Sequence, residues 1–195
     1  MYYKIYSNIR DSAWRCLIDN HIDSLPVDIV KIADRCNIHI KKNSLINELS
    51  PDEDAKSFYN GHNWIIIYND LIDIYAARFA IAHELGHIFL GHEKTIAKYS
   101  NVEEFGKKPK AEQQADLFAI RLLCPSCVLM RLNLSSPQEI CDACHIPLSW
   151  AKKRSERMNK LNKANKFFTN ELEIKVNENF IPFFEQNNVA LDHDC

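Results

Sequence analysis

Glycine is scarce in this 195-residue chain, at four residues. That scarcity disfavours a glycine-rich loop of the kind that cradles nucleotide phosphates. An excess of charge of one sign is missing too: 24 lysines and arginines stand against 26 acidic residues, for a formal net charge of -2. No global imbalance therefore points to nucleic acid or to a membrane surface. Long apolar runs are also absent. The most apolar stretch, residues 71–90, is interrupted by Asp73, Arg78, His83, Glu84 and His87, whereas a membrane span needs roughly 20 mostly apolar residues. The start, MYYKIYSNIRDSAW, lacks a basic region followed by an apolar run and a small-residue cleavage site. No secretory signal is read there, and a cytoplasmic location is expected. Seven cysteines, an odd number, argue against a disulfide framework in that setting. What is present is ordinary for a globular protein: 46% hydrophobic and 26% charged residues, in a chain long enough to bury a real core.

Local patterns predict mostly helix. Residues 8–20 form the first. A second opens at Ser24-Leu25-Pro26, with Pro26 in the first turn, where its missing N–H costs nothing, and with Val27, Val30, Ile32 and Ala33 partly at helical spacing. Ile38-His39-Ile40 alternates with polar residues as a short strand, and residues 43–57 read as a loop. Trp64 to Tyr68, WIIIY, is bulky and β-branched, a strong strand signal. A long helix follows over 73–90, with Gly91 as its natural stop. Residues 93–108 read as irregular. Another helix runs from Pro109 to about Cys124 and ends at Pro125. The last third is helical, with breaks near Ser136-Pro137 and Ile146-Pro147.

The chemistry concentrates in His83-Glu84-Leu85-Gly86-His87, an H-E-x-x-H pattern. Helix positions four apart lie on one face, roughly 5–6 Å apart at Cβ. Two imidazoles so placed reach one ion at ~2.0–2.1 Å. Glu84, beside the first ligand, projects near the ion without ligating it and can take a proton from a polarised water. A catalytic zinc needs a third protein ligand and an open position. The extended H-E-x-x-H-x-x-G-x-x-H pattern fails, since position 90 is Leu and position 93 is Glu, with His92 one residue early. The next helix offers Glu112 as the third ligand. Asp116, one turn on and sharing its face, can accept a ring N–H from a ligand histidine, His83 being the choice, which fixes that ring's tautomer. A solvated face carrying two acids is the bland alternative; after H-E-x-x-H the ligand reading is preferred. A donor for a tetrahedral oxyanion stays open among His92, Tyr99 and Arg121. The strand 64–68 is either a sheet edge to which a substrate peptide adds or an ordinary core strand.

Arg78 to His87, followed by Leu90-Gly91-His92, together with EQQADLFAIRLLCP from Glu112 to Pro125, resembles the ImmA/IrrE family of metallopeptidase-like proteins. The segments around Leu25–Asp28, 136–158 and 166–184 are similar as well. The resemblance implies an α+β fold: a mostly helical, zincin-like domain with a small β-sheet and a helical, helix-turn-helix-like C-terminal extension. On it, residues 1–125 form the metallopeptidase domain, 126–165 the helix-turn-helix-like part and 166–195 a helical tail. It carries His83, His87 and Glu112 over as zinc ligands and Glu84 as the catalytic residue. Family members encoded on mobile elements are understood to cleave a phage-like transcriptional repressor, which makes a protein of that kind the expected partner.

Two C-terminal features stand beside this. Cys124-x2-Cys127 and Cys141-x2-Cys144 are spaced like a four-cysteine zinc site, but Cys124-Pro125 sits at a helix end and Cys141 and Cys144 share an apolar helix stripe with Ile140, where free cysteine is a small buried hydrophobe; the packing reading is preferred. Residues 138–158 read as a helix-turn-helix whose second helix carries Lys152, Lys153, Arg154 and Arg157, with Lys160, Lys163 and Lys166 beyond. Such a helix could lie along DNA phosphates or dock a protein. The rival function is then a non-catalytic regulator or antitoxin-like protein that binds DNA or a repressor.

Overall fold

The computed structural model describes residues 9–92 and 109–189. It is α+β and mostly helical: ten helices among the described residues and one three-stranded sheet. Two compact units divide the chain, Met1–Ser12 with Ile29–Ala119, and Ala13–Asp28 with Ile120–Cys195. Helix α1, Ile9–Asp19, matches the expected first helix.

In the first unit, α2 spans Ile29–Arg35. It begins after Pro26 instead of around it; the Leu25–Pro26 peptide is cis, and Val27 is fully buried. Strand β1, Ile38–Lys42, is followed by the short helix α3, Asn43–Ile46, then by β2, Ala55–Tyr59, and β3, Trp64–Tyr68. Part of the expected loop 43–57 is thus helix and strand. The sheet order is β1-β3-β2. β3 pairs parallel with β1, Ile38 opposite Trp64, and antiparallel with β2, Ser57 opposite Ile66. So β3 is the central strand, and of the two readings left open for residues 64–68 the structure shows the core strand and not the sheet edge. The reason is plain in its burial: Ile66 and Ile67 are both buried although neighbouring strand residues face opposite sides. The edges are β1 and β2. The β2–β3 hairpin turns at Gly61, where φ is +94°, and Asn60 Oδ1 accepts from the backbone N–H groups of His62 and Asn63.

Helix α4, Ile74–Leu90, packs on β2, β3 and α2. Asp73 caps its start, accepting from Tyr75 N at 2.9 Å and Ala76 N at 3.2 Å. Its end is set by Gly91 at φ +69°. There the Gly91 N–H donates to Ile88 O and the His92 N–H to His87 O, the paired bonds of a Schellman closure, which needs a left-handed residue. Ala77, Phe79, Ile81, Ala82, Leu85, Ile88 and Phe89 are all buried; each large one contributes roughly 1.5–3 kcal/mol relative to exposure. Helix α5, Lys110–Leu123, has Ala115, Phe118 and Ala119 wholly buried, and Phe118 stacks on Phe89 with ring centroids 5.8 Å apart.

The second unit holds α6, Ser126–Arg131, α7, Pro137–Cys144, α8, Leu148–Lys163, α9, Glu171–Asn179, and α10, Ile181–Gln186. A Ser136–Glu139 capping box starts α7, and His145 at φ 51° ends it. α7 and α8 pack on each other, as do α6 and α9. Cys124, Cys127, Cys141 and Cys144 are buried as free thiols. Arg154 is buried too, its Nη2 donating to the Cys124 carbonyl. The basic face of α8 is therefore made of exposed Lys152, Lys153, Arg157, Lys160 and Lys163, without Arg154, because Ala151, Arg154, Ser155 and Met158 form the inward stripe. No described helix is long and apolar enough to cross a membrane.

Candidate metal centre

The site begins with the contact between α4 and α5. Gly86 has no side chain, and a Cβ there would meet Ala115 Cα and O at 3.1 Å each and Phe118 Cβ at 3.2 Å. Backbone touches backbone at this point. Ala115 sits between Glu112 and Asp116 in the chain, so the close approach sets both carboxylates beside the His83 and His87 rings.

The resulting geometry is tight. His83 Nε2 lies 3.1 Å from Glu112 Oε2, His87 Nε2 lies 3.1 Å from Glu112 Oε1, and the two Nε2 atoms are 3.0 Å apart. Behind His83, Nδ1 is 2.9 Å from Asp116 Oδ1. Behind His87, Nδ1 is 3.1 Å from His92 Nδ1, and His92 Nε2 is 3.1 Å from Gln114 Oε1. Glu84 also brings a carboxylate oxygen within 4.8 Å of the two histidines, but its Oε2 accepts a 2.6 Å hydrogen bond from Ser57 Oγ on β2. Glu112, closer to both rings, is the better third donor, and Glu84 is held to one side.

The electrostatics follow from this packing. Burial alone would depress the His83 imidazole, yet its bonds to Asp116 and Glu112 and the charge of Glu84 outweigh it and lift the pKa to about 9. Bonds from His83 and His87 hold the Glu112 carboxyl well below the usual carboxylate range. His92 is pushed down, first by burial and then by the neighbouring His87.

These residues fit a divalent ion. Three donors bound at ~2.0–2.1 Å in tetrahedral directions stand roughly 3.3 Å apart, so edges of 3.0–3.1 Å need only slight opening. The set of two imidazoles and one carboxylate leaves one position for solvent or substrate. Each ring also has a partner on its other nitrogen, as metal-binding histidines require. The structure therefore brings together all five residues singled out in the sequence: His83, Glu84, His87, Glu112 and Asp116.

Of the oxyanion candidates, His92 has both ring nitrogens engaged behind His87, away from the Nε2 side. Arg121 is nine residues beyond Glu112 on α5, about 13 Å along the helix axis. Tyr99 lies outside the described residues. Sequence reasoning missed Ser57, Gln114 and the part played by His92. The one available signal was Gly91: a left-handed stop returns the next residue toward the last turn. Among the described residues, the one group of three or more His, Cys, Asp or Glu side chains close enough to share an ion is that around His83, Glu84 and His87. Cys127, in the second unit, is instead a protonated thiol, pushed up to about 12 by burial and by Glu173.

Residues 33–145, more than half of the chain, match the peptidase family described as the IrrE N-terminal-like domain. Comparison with curated proteins finds no match.

Proposed function

Since this chain belongs to the IrrE N-terminal-like family of metallopeptidases, we propose that it is a zinc-dependent endopeptidase with His83, His87 and Glu112 as ligands and Glu84 as general base. The observation that carries the reading is the triangle of donors, 3.0–3.1 Å on each side, with a carboxylate held beside it by Ser57. When bound there, zinc supplies a Lewis acid for the scissile carbonyl and a water acidic enough to ionise near neutral pH.

The chain's own residues do the rest. Glu112 and the two imidazoles orient the ion, and Asp116 holds His83 by its rear N–H. Ser57 donates to Glu84 Oε2, leaving Oε1 to take the proton of the attacking water and deliver it to the leaving amine. The Ser57 bond fixes the orientation of the Glu84 carboxylate beside the two rings. Among the described residues β2 pairs only with β3, and β2 carries Ser57. A substrate peptide adding to the free edge of β2 would lie in extended form beside the base.

The substrate we propose is a phage-like transcriptional repressor or a similar regulator, on the strength of the family resemblance. A second reading, a non-catalytic regulator, draws support from the exposed basic face of α8, which suits DNA phosphates or an acidic protein. It gives no role to the Ser57–Glu84 bond, since a scaffold needs ligands but not a positioned base. The two separate on one experiment: the zinc-loaded protein is incubated with a phage-like repressor as candidate substrate, wild type against Glu84→Gln. Cleavage by wild type alone supports the peptidase. Binding without cleavage by either supports the regulator.

A further inference from the structure

Among the described residues, no carboxylate backs His87. His83 has Asp116 on its rear nitrogen at 2.9 Å, but the rear nitrogen of His87 faces another imidazole, that of His92, at 3.1 Å. His92 is 5% exposed, and its far nitrogen meets Gln114 Oε1 at 3.1 Å. The geometry points to His92 and Gln114 as a positioning relay that fixes the tautomer and ring plane of His87, so that His87 offers its Nε2 lone pair to the ion.

The argument runs atom by atom. A side-chain amide oxygen only accepts, so the hydrogen between Gln114 and His92 belongs to His92 Nε2. A neutral imidazole carries one N–H, which leaves His92 Nδ1 bare, an acceptor. The hydrogen in the Nδ1–Nδ1 contact must then come from His87. With its proton on Nδ1, His87 has an unprotonated Nε2, on the side where Glu112 and His83 converge. Reversing any link would put a proton on His87 Nε2 and remove it as a ligand.

The chain builds this relay locally. Gly91 at φ +69° turns the backbone back, and the His92 N–H donates to His87 O at 3.0 Å. The two residues joined by that bond are the two whose rings meet. Gln114 comes from α5, the helix that supplies Glu112 and Asp116, so one helix backs both ligand histidines, one directly and one through His92. His92 is not itself a ligand in this geometry, because its ring nitrogens point at His87 Nδ1 and Gln114.

The relay rests on the metal reading of the site, and its test separates the two. Zinc affinity of the full chain is measured by chelator competition for wild type, His92→Phe and His92→Asn. Phenylalanine keeps the ring volume and loses the acceptor; asparagine is smaller but keeps an oxygen near the position of Nδ1. The relay predicts a loss of ~10–100-fold for His92→Phe and an affinity near wild type for His92→Asn. The opposite order would mean that His92 only fills space, and would overturn the relay. Wild type that takes up no zinc would overturn both the relay and the metal reading. Wild type that binds zinc, matched by His92→Phe, would overturn the relay alone. In zinc-loaded wild type, side-chain nitrogen NMR should show His92 with its proton on Nε2 and His87 with its proton on Nδ1. The reverse tautomers would also overturn it, with no variant required to fold.

Discussion

Replacing Gly86 by alanine adds one methyl group at the point where α4 and α5 touch. That carbon would stand 3.1 Å from Ala115 Cα, 3.1 Å from Ala115 O and 3.2 Å from Phe118 Cβ, against ordinary carbon contacts of ~3.5–4.0 Å. Two of these neighbours are backbone atoms, so no side-chain rotation relieves them. The helices must separate locally by about 0.4 Å. For stability the effects oppose one another: overpacking costs about 1–3 kcal/mol, while alanine is favoured over glycine in a helix by about 1 kcal/mol. Folding should weaken by at most about 2 kcal/mol. The metal site has less slack, since ligand distances tolerate only ~0.2 Å, and Glu112 rides on the displaced helix. Zinc affinity should fall by ~10–100-fold, as when an orienting partner is lost. Thermal melting of the metal-free protein and a chelator titration, run side by side, separate the two effects. A folded Gly86→Ala protein that binds zinc as tightly as wild type would refute the view that this contact sets the donor spacing.

Other outcomes follow from the same geometry. Ser57→Ala should leave zinc affinity unchanged and lower kcat on a cleavable peptide by roughly tenfold, from loss of one charge-assisted bond to the base, with Ser57→Thr restoring much of it; unchanged kcat in the alanine variant would remove Ser57 from the account. In the metal-free protein, His83 has its pKa raised to about 9. Its contribution to stability is therefore complete below the ordinary histidine value of 6.5 and disappears as pH rises through about 9. Glu112 has the opposite sign: its contribution is present above its ordinary 4.5 and is lost as acid protonates it. Since zinc must displace the His83 proton, zinc affinity should rise ~10-fold per pH unit up to about 9, with proton release seen by calorimetry in two buffers; a flat profile would contradict the assignment. Phe118→Ala, at a fully buried position stacked on Phe89, should cost ~3–5 kcal/mol in denaturant unfolding.

What could be read from the residues was what depends on helix periodicity. His83 and His87, and Glu112 and Asp116, are each four apart, so each helix presents its pair on one face whatever the rest of the fold does. Strand β2 was not legible: Ala55, Lys56, Ser57, Phe58 and Tyr59 are all half-buried or exposed, leaving no alternation to detect. The central place of β3 depends on β1 and β2 flanking it, which is non-local information. Ser57 was lost with its strand, and so was its bond to Glu84. Arg154 reads as a surface charge by type; only its spacing with Ala151, Ser155 and Met158 places it inside. His92 reads as a candidate donor to substrate because its nearness in sequence is evident, whereas its direction depends on the left-handed turn at Gly91.

X-ray absorption at the zinc edge, on the zinc-loaded full chain, tests the central claim most directly. The account predicts a shell of nitrogen and oxygen only, at ~2.0–2.1 Å, with imidazole scattering from two rings, and loss of that shell in Glu112→Ala. A sulfur scatterer at ~2.3 Å would place the metal on cysteine, and the triangle of His83, His87 and Glu112 would no longer be the metal centre.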